Sequence, residues 1–279
     1  MSPAPGTLFV VSTPIGNLGD MTYRAVDVLR SVQLICAEDT RHVRKLLDRY
    51  EVRTPVQSYY KDNEARMTPR IVQRLTSGDH VALVTDAGTP LVSDPGHRLV
   101  AAAIAAGAPV VPVPGASSLL AALVASGADT STFTFVGFLP RSGAERNRAI
   151  SRLSALAHTS VLFESPARLA ATLQDLAANG LAERRASVAR ELTKQHEEVR
   201  RGTVGELATY YGANPARGEV VIILEGGLSV PVVDEGAAVA RAREMRSAGA
   251  TTKDIVAVLI DEFGMARNRA YRITQEEDR

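Results

Sequence analysis

The sequence predicts an α/β fold with two α/β domains and a small helical C-terminal extension. Short runs of apolar and β-branched residues alternate with longer stretches of helical spacing in the first half of the chain. The same alternation starts again after Gly115, whereas no β-rich run follows Pro231. We therefore predict an N-terminal α/β domain over residues 1–115, a second α/β domain over 116–228, and the helical extension over 232–279.

In the first domain, strands and helices follow one another in a β-α-β-α order. The predicted strands are residues 7–11, 34–36, 81–84 and 109–113. The predicted helices are residues 22–30, 40–49, 63–76 and 94–106. Val81–Val84 is apolar throughout, as in a strand that is covered on both faces. This order predicts a parallel or mostly parallel sheet.

The second domain has the same type of pattern, and the extension differs from both domains. The predicted strands of the second domain are residues 133–137, 160–163, 187–190 and 220–224, and its predicted helices are 118–125, 145–156 and 166–178. Three helices are predicted in the extension, at residues 236–247, 252–262 and 266–275. Thr251 and Asp254 have the spacing of a capping box, and Gly249 and Gly264 stand where helices should stop. A Ser-Val-Pro linker at 229–231 joins the two parts.

Composition limits the classes of function. The 279 residues carry a net charge of +1, so any nucleic-acid partner must be bound by local basic patches. Trp is absent and aromatic residues make up 5%, which argues against large base-stacking platforms. No apolar stretch approaches the roughly 20 residues of a membrane span. The N-terminus lacks the charged segment of a secretory signal, so we expect a cytoplasmic protein without a membrane partner.

Several common catalytic motifs are missing from the sequence. It contains neither a G-x-G-x-x-G nor a P-loop pattern, and Gly115–Leu119 lacks the last glycine of a nucleophile elbow. The five histidines show no metal-binding spacing, so we expect no metal. The single cysteine, Cys36, stands in an apolar run and is predicted to be a buried small hydrophobe. Dehydrogenases, P-loop NTPases, zinc enzymes and α/β-hydrolases are therefore disfavoured.

Three loops that follow strands are rich in glycine, proline and small hydroxyl residues. They are Ser12–Asp20, Thr85–Pro95 and Pro112–Ser118. Open α/β sheets bind ligands beyond the carboxyl ends of their strands. Glycine lets the backbone approach a ligand closely, and proline restricts the shape of a loop. Any one of these loops could be an ordinary turn, but three at one sheet edge predict a ligand site.

The same loops belong to an ordered set of motifs between residues 7 and 227. In chain order they are Leu8–Asp20, Ala37–Arg41, Thr85–Pro90 with Ser93–Gly96, Val113–Ser118, Gly137–Pro140, Phe163–Arg168, Ala189–Lys194 and Gly218–Gly226. With this set the chain resembles the tetrapyrrole methylase superfamily, and most closely its ribosomal RNA branch. The tail also resembles the helical extension of that branch. Tetrapyrrole enzymes typically have G-G-D-P where this chain has Ala87–Pro90, a departure that favours the RNA branch.

The resemblance implies a fold, a cofactor and an activity. It implies two α/β domains with S-adenosylmethionine bound in the cleft between them, and a homodimer. The implied activity is 2′-O-methylation of a cytidine ribose in the decoding region of 16S rRNA. The expected partner is therefore 16S rRNA within the small ribosomal subunit. Two alternatives stay open: a methylase of a tetrapyrrole or another small molecule, and a non-catalytic ribosome assembly factor.

The resemblance also places residues in the site. It puts ten at the cofactor: Pro14, Asp86, Gly88, Thr89, Val92, Ser117, Ser118, Phe163, Leu192 and Glu219. The candidates for catalysis are Glu38, Asp39, Arg41, Glu191 and Lys194. A ribose hydroxyl is a weak acid, so a proton acceptor would help. Lys194 would need a lowered pKa for that role and could instead hold a phosphate. Asp39 and Arg41 could instead form a helix cap with an ion pair.

Local basic clusters are the candidates for RNA binding. The residues predicted to contact RNA are Arg44, Lys45, Arg141, Arg146 and Arg148. Each cluster alone could be a solvated helix face. Together with the resemblance they predict a rim of phosphate contacts.

Overall fold

The computed structural model describes residues 4–227, 235–263, 265 and 267–276. The predicted linker at 229–231, the domain bounds at 228 and 232, and the predicted helix stop at Gly264 lie outside these ranges. The division of the chain at 115 stays a prediction, although each half of residues 4–227 contains its own five-stranded sheet.

The first sheet is entirely parallel, as its alternating pattern predicts. Its strands are β1 (Leu8–Val11), β2 (Leu34–Ala37), β3 (Val56–Ser58), β4 (Val81–Leu83) and β5 (Val110–Val113). Their order across the sheet is β3-β2-β4-β1-β5. The helices of this half are α1 (Tyr23–Ser31), α2 (Thr40–Arg49), α3 (Glu64–Thr76) and α4 (His97–Ala105).

Helices cover both faces of this sheet, which explains why its central strands β1, β2 and β4 are apolar throughout. Ile35 packs in a core with α1 and α2, and the next residue, Cys36, packs in a second core with α3 and α4. Successive side chains of a strand point to opposite faces, so one strand serves both cores. Cys36 is fully buried, which confirms its predicted role, and burial raises the pKa of its thiol to about 12.

Two details of the first half differ from the prediction. The three-residue edge strand β3 was not predicted, because so short a segment has no measurable alternation. Helix α4 begins at His97 instead of Asp94. Pro95 and Gly96 precede it, and the φ of +131° at Gly96 is incompatible with a helix. The segment 93–96 is therefore a loop beyond the sheet edge.

The second sheet is mixed. Its strands are β6 (Phe133–Phe138), β7 (Thr159–Glu164), β8 (Arg185–Arg190), β9 (Glu198–Thr203) and β10 (Val220–Leu224), in the order β6-β7-β10-β8-β9. Only the β6–β7 pair is parallel, and the other three pairs are antiparallel. The helices of this half are α5 (Ser118–Ser126), α6 (Gly143–Ser154), α7 (Pro166–Leu176) and α8 (Val204–Ala213).

The prediction missed β9 and α8. Strand β9 lies at the sheet edge and carries charged side chains, as edge strands often do, so it lacks an apolar alternation. Helix α8 begins with a capping box between Thr203 and Glu206, a signal that could have revealed it. Helix α7 ends at Leu176, earlier than predicted, before a turn in which Gly180 has a φ of +84°.

Helix α5 connects the two halves through a shared core. Leu119 and Leu123 on α5 pack with Ile15 from the loop after β1 and with Val221 and Ile223 from β10. The loops of the first half are thereby held against the second sheet. This packing places the cleft between the two halves.

The extension forms a separate small core. Its helices are α9 (Glu235–Ser247), α10 (Thr252–Phe263) and α11 (Arg267–Glu276), close to their predicted bounds. Ala238, Ile255 and Ile273 are buried together. The predicted capping box is present, since the backbone amides of Asp254 and Thr251 donate to the Thr251 hydroxyl and the Asp254 carboxylate. Within the described ranges, no helix is long and apolar enough to span a membrane.

Candidate active site

The three glycine- and proline-rich loops meet at one edge of the first sheet, as predicted. Strands β4, β1 and β5 are parallel neighbours, so their carboxyl ends lie side by side. Thr13 and Gly88 exchange two backbone hydrogen bonds, with N···O distances of 2.9 and 3.1 Å. The hydroxyl of Thr89 lies 3.1 Å from that of Ser12 and donates to the carbonyl of Ala116 at 3.2 Å. These contacts tie the three loops into one unit.

Two glycines permit this close approach. Gly88 has a φ of +81°, and a Cβ there would lie 3.3 Å from Cγ2 of Ile15. A Cβ on Gly115 would lie 2.9 Å from Cβ of Ser12. A side chain at either position would push the loops apart.

A cavity of about 410 Å³ lies between these loops and the second sheet. Small-molecule sites typically have volumes of roughly 300–1,000 Å³. Eight of the ten residues predicted at the cofactor line it: Asp86, Gly88, Thr89, Val92, Ser117, Ser118, Phe163 and Glu219. We call it the first cavity.

The other two predicted cofactor residues lie elsewhere. Pro14 is buried and lines a neighbouring cavity. Leu192 is 8% exposed and belongs to the core shared with Ile15. Leu192 therefore supports the wall from behind and lines neither cavity.

The lining of the first cavity also includes residues that the sequence reasoning missed. They are chiefly Asp94, Phe138, Glu164 and Ser165. All four stand inside motifs that were recognised, so the motifs themselves were the available signal. The ring of Phe138 is 55% exposed and meets Phe163 edge-on, with 5.7 Å between the ring centroids. The two rings form an apolar side of the cavity.

The charged residues of the first cavity are all acidic. Its lining contains Asp86, Asp94, Glu164 and Glu219, and none of its lining residues is basic. Glu164 is buried and accepts a 2.6 Å hydrogen bond from the hydroxyl of Thr172. Within the described residues, neither Asp86 nor Asp94 has a cation within ion-pair distance. The cavity therefore suits a ligand that carries positive charge and hydrogen-bond donors.

A second cavity, of about 510 Å³, adjoins the first. Both are lined by Ile15, Thr85, Asp86, Ala87 and Glu219, which we call the shared wall. Residues of α2, among them His42 and Lys45, line the second cavity as well, together with Lys194. Two compartments of different charge thus meet at the shared wall.

Among the catalytic candidates, Glu38 lies behind the shared wall. It follows β2, and its carboxylate accepts a 3.4 Å hydrogen bond from the hydroxyl of Thr85. Burial raises the pKa of Glu38, and the negative charges of Asp94 and Asp86 raise it further. Burial also raises the pKa of Asp94, with a smaller contribution from Asp86. Three carboxylates are thus held close together beside the cleft.

Asp39 and Arg41 form a helix cap, the alternative left open by their sequence. The carboxylate of Asp39 accepts a 2.8 Å hydrogen bond from the backbone amide of Arg41 at the start of α2. It also forms an ion pair with the guanidinium of Arg41, at 2.9 Å. Hydrogen bonds from Arg41 lower the pKa of Asp39 to about 2. The backbone amide of Asp39 in turn donates to Asp86 at 3.0 Å, which links the cap to the shared wall.

Glu191 and Lys194 form an ion-paired cluster with Glu219. The ammonium of Lys194 lies 2.9 Å from Glu191 and 3.4 Å from Glu219. Burial alone would lower the pKa of Lys194, but the two carboxylates outweigh it and the pKa is raised. The hydrogen bond from Lys194 lowers the pKa of Glu191. Lys194 is therefore held in its charged form and has no lone pair with which to accept a proton.

The predicted RNA contacts divide into exposed and buried residues. Arg44, Lys45, Arg141 and Arg148 are exposed. The prediction is wrong for Arg146, which is 7% exposed. Its guanidinium pairs with Asp175 at 2.8 Å and also donates to Thr172 and to the carbonyl of Pro140. Arg146 thus braces α7 and the loop before α6, and its donors do not reach the solvent.

Comparison with known proteins defines the class of this fold. The family profile of tetrapyrrole (corrin/porphyrin) methylases matches residues 7–208. The solved structure of uroporphyrin-III C-methyltransferase from Thermus thermophilus with S-adenosylhomocysteine has a TM-score of 0.57 at 18% identity, and the match covers 79% of this chain and 97% of that one. The fold is therefore that of S-adenosylmethionine-dependent methyltransferases of the tetrapyrrole methylase type, which confirms the predicted fold and cofactor class.

Curated relatives identify the branch. The ribosomal RNA small subunit methyltransferase I of Synechocystis sp. is 41% identical over 273 residues, which cover 97% of this chain and 98% of that protein. The enzyme of the same name from Xylella fastidiosa is 49% identical over 224 residues, or 80% and 82% of the two chains. The chain belongs to the ribosomal RNA small subunit methyltransferase I family, within the tetrapyrrole methylases.

Proposed function

We propose that this protein methylates the ribose 2′-hydroxyl of a cytidine in the decoding region of 16S rRNA, with S-adenosylmethionine as methyl donor. The observation that carries the proposal is an acidic cavity of cofactor size between the two halves, lined by eight of the ten residues predicted at the cofactor. The names of the relatives, which refer to the RNA of the small ribosomal subunit, support the choice of substrate.

The lining of the first cavity fits this cofactor. S-adenosylmethionine carries a sulfonium and an ammonium against one carboxylate. Glu164 and Glu219 are already paired with Arg168 and Lys194, so Asp86 and Asp94 are the lining carboxylates that complement the net positive charge. Asp86 and Glu219 both stand in the shared wall, but Glu219 is paired with Lys194, so Asp86 is the best placed to hold the cofactor beside the acceptor. Phe163 and Phe138 offer apolar surface, and Ser117 and Ser118 offer hydroxyls. When bound, the cofactor supplies an electrophilic methyl group on sulfur.

The residues of the chain contribute mainly orientation. Alignment of two reactants can contribute roughly 7–11 kcal/mol to catalysis. The loops that would align them are tied to one another by the bonds between Thr13 and Gly88. Glu38 is the best supported proton acceptor of the five candidates, because burial raises its pKa above the ordinary value and it contacts Thr85 of the shared wall. Lys194 and Arg41 stay charged and serve as electrostatic contacts.

RNA reaches this site over a basic rim. Arg44, Lys45, Arg141 and Arg148 are exposed and supply positive charge for phosphates. Such contacts release counterions, so RNA binding should weaken as salt rises. We further propose that the substrate is 16S rRNA in the small ribosomal subunit, that the protein acts in the cytoplasm, and that it is a homodimer, as the family resemblance implies.

A label-transfer assay tests the proposal. The protein is incubated with methyl-labelled S-adenosylmethionine and with unmodified small subunits, free 16S rRNA or a porphyrinogen. We expect label in the rRNA, and nucleoside analysis should place it on a cytidine ribose. Label only in the porphyrinogen would instead identify a small-molecule methylase. If calorimetry detects no cofactor binding, the assembly-factor alternative is favoured.

A further inference from the structure

We infer that the second cavity binds one unpaired nucleotide of the RNA, with its ribose toward the shared wall and a phosphate toward Lys45 on α2. This inference rests on the proposed function and specifies where its acceptor binds. The two cavities have five lining residues in common, so a ribose in the second cavity lies next to a cofactor in the first.

The two cavities share the carboxylates of Asp86 and Glu219, but only the second is also lined by basic side chains. Every basic side chain that lines either of them lines the second: His42, Lys45 and Lys194. In the first cavity the only charged groups that a phosphate would meet are carboxylates, whereas in the second it meets the Lys45 ammonium and the His42 imidazole on the α2 side. This separation assigns the cationic ligand to the first cavity and the anionic ligand to the second.

Lys45 is the cation available for a phosphate. In the part of the chain that the structure describes, no carboxylate lies within ion-pair distance of its ammonium. The ammonium of Lys194, by contrast, is already paired with Glu191 and Glu219. Lys194 therefore forms a fixed wall of the cavity, and Lys45 supplies the uncompensated charge.

The size and lining of the second cavity fit a single nucleotide. Its volume of about 510 Å³ lies within the range of small-molecule sites. Pro14, Leu18, Val43 and Leu46 give it apolar surface against which a base can pack. Proteins recognise RNA sequence mainly at unpaired nucleotides, whose bases can leave the stack. A paired nucleotide within a helix would not enter such a cavity.

Removal of the Lys45 charge tests the phosphate contact. Lys45→Ala is compared with Arg49→Ala, which removes a cation from the same helix at an exposed position that lines neither cavity. We expect Lys45→Ala to lower kcat/KM for unmodified small subunits about tenfold or more, as for a lost hydrogen bond to a charged group. Arg49→Ala should change it by less than about threefold, because isolated surface charges contribute little. Neither change should alter the Kd for S-adenosylmethionine measured by calorimetry.

Filling the cavity gives a second, independent test. Leu18 is 43% exposed and lines the second cavity, so Leu18→Trp adds bulk there without disturbing a core. Ile104→Trp adds the same bulk at a 62% exposed position on α4, away from both cavities. Methyl transfer to small subunits should fall in the first variant only, while both variants keep cofactor binding and thermal stability.

The outcomes separate this inference from the proposed function. If the unaltered protein binds S-adenosylmethionine but labels no RNA, the proposed function fails and the inference falls with it. If it labels RNA and Lys45→Ala behaves like Arg49→Ala, or Leu18→Trp like Ile104→Trp, the inference alone is overturned. Weakened cofactor binding in Lys45→Ala would also overturn it, since the two cavities would then be one site.

Discussion

Gly16 lies directly against the side chain of Lys194, so that a Cβ on this glycine would be 2.5 Å from Cγ of the lysine. The contact joins the loop after β1 to the loop after β8. Beyond it, the Lys194 ammonium binds two carboxylates. Lys194 therefore joins the first half of the chain to the second where both line the second cavity.

Replacing Lys194 by Met should make the stability gap between variant and parent depend on pH. The lowered pKa of Glu191 stabilises the fold above its ordinary value of 4.5, and this contribution is lost as the pH falls through the lowered value. The raised pKa of Lys194 stabilises below 10.5, and this contribution is lost as the pH rises through the raised value. Urea unfolding should show the largest difference in the free energy of unfolding between pH 4.5 and pH 10.5. For a partly exposed pair we expect this difference to be about 1 kcal/mol. The exposed Lys61→Met serves as control, and a gap independent of pH would contradict the assignment.

Asp86→Asn should weaken cofactor binding. Asn keeps an oxygen that can accept from the amide of Asp39 but removes the charge that faces both cavities. A lost charge-assisted hydrogen bond corresponds to a rise of about tenfold or more in Kd. Calorimetry with S-adenosylmethionine measures it, with the exposed Asp48→Asn as control. An unchanged Kd would show that the loop does not hold the cofactor.

Glu38→Gln should change the pH profile of methyl transfer. A carboxylate base with a raised pKa makes the single-turnover rate rise with pH through an inflection above 4.5, then reach a plateau. In the variant the inflection should disappear and the plateau should fall by about 10²-fold or more, as for lost general-base catalysis. The exposed Glu145→Gln provides the comparison. If Glu38→Gln keeps the plateau and the inflection, Glu38 is not the proton acceptor.

Substitutions of Asp39 should separate helix capping from catalysis. Asp39→Ala removes the N-cap of α2 and should lower the free energy of unfolding by about 1 kcal/mol. Asp39→Ser keeps a capping oxygen and should preserve most of the stability. We expect Asp39→Ser to keep its methyl-transfer activity as well. A stable but inactive Asp39→Ser variant would instead place Asp39 in catalysis.

Arg146→Met and Arg148→Met should have opposite consequences. Loss of Arg146 removes the cation that pairs with Asp175 and the buried hydrogen bond to Thr172, and it should lower the free energy of unfolding by about 1–3 kcal/mol. Loss of the exposed Arg148 should change it by no more than about 0.5 kcal/mol. Arg148→Met should instead weaken RNA binding and reduce its salt dependence by about one phosphate contact. If Arg146→Met weakens RNA binding as much as Arg148→Met does and is as stable as the parent, Arg146 contacts RNA after all.

Arg146 and Arg148 also show what could be predicted from the sequence and what could not. They are two residues apart on α6 and therefore point to opposite sides of the helix. Arg146 shares its spacing with the buried Ile150 and Leu153, a pattern visible in the sequence. Its positive charge alone predicted that Arg146 is exposed to solvent. Only the tertiary structure shows that Asp175 and Thr172 are the partners of its buried guanidinium.

The sequence by itself determined the parallel first sheet, the three loops at its edge and the family, because these depend on local periodicity and on motifs in a fixed order. The tertiary structure decided which loop residues face which cavity. Asp86 and Lys45 are 41 positions apart in the sequence. They line one second cavity because Asp86 follows β4, α2 follows β2, and these two strands are parallel neighbours. The placement of the basic side chains at the second cavity alone arises from long-range packing, which local patterns do not encode.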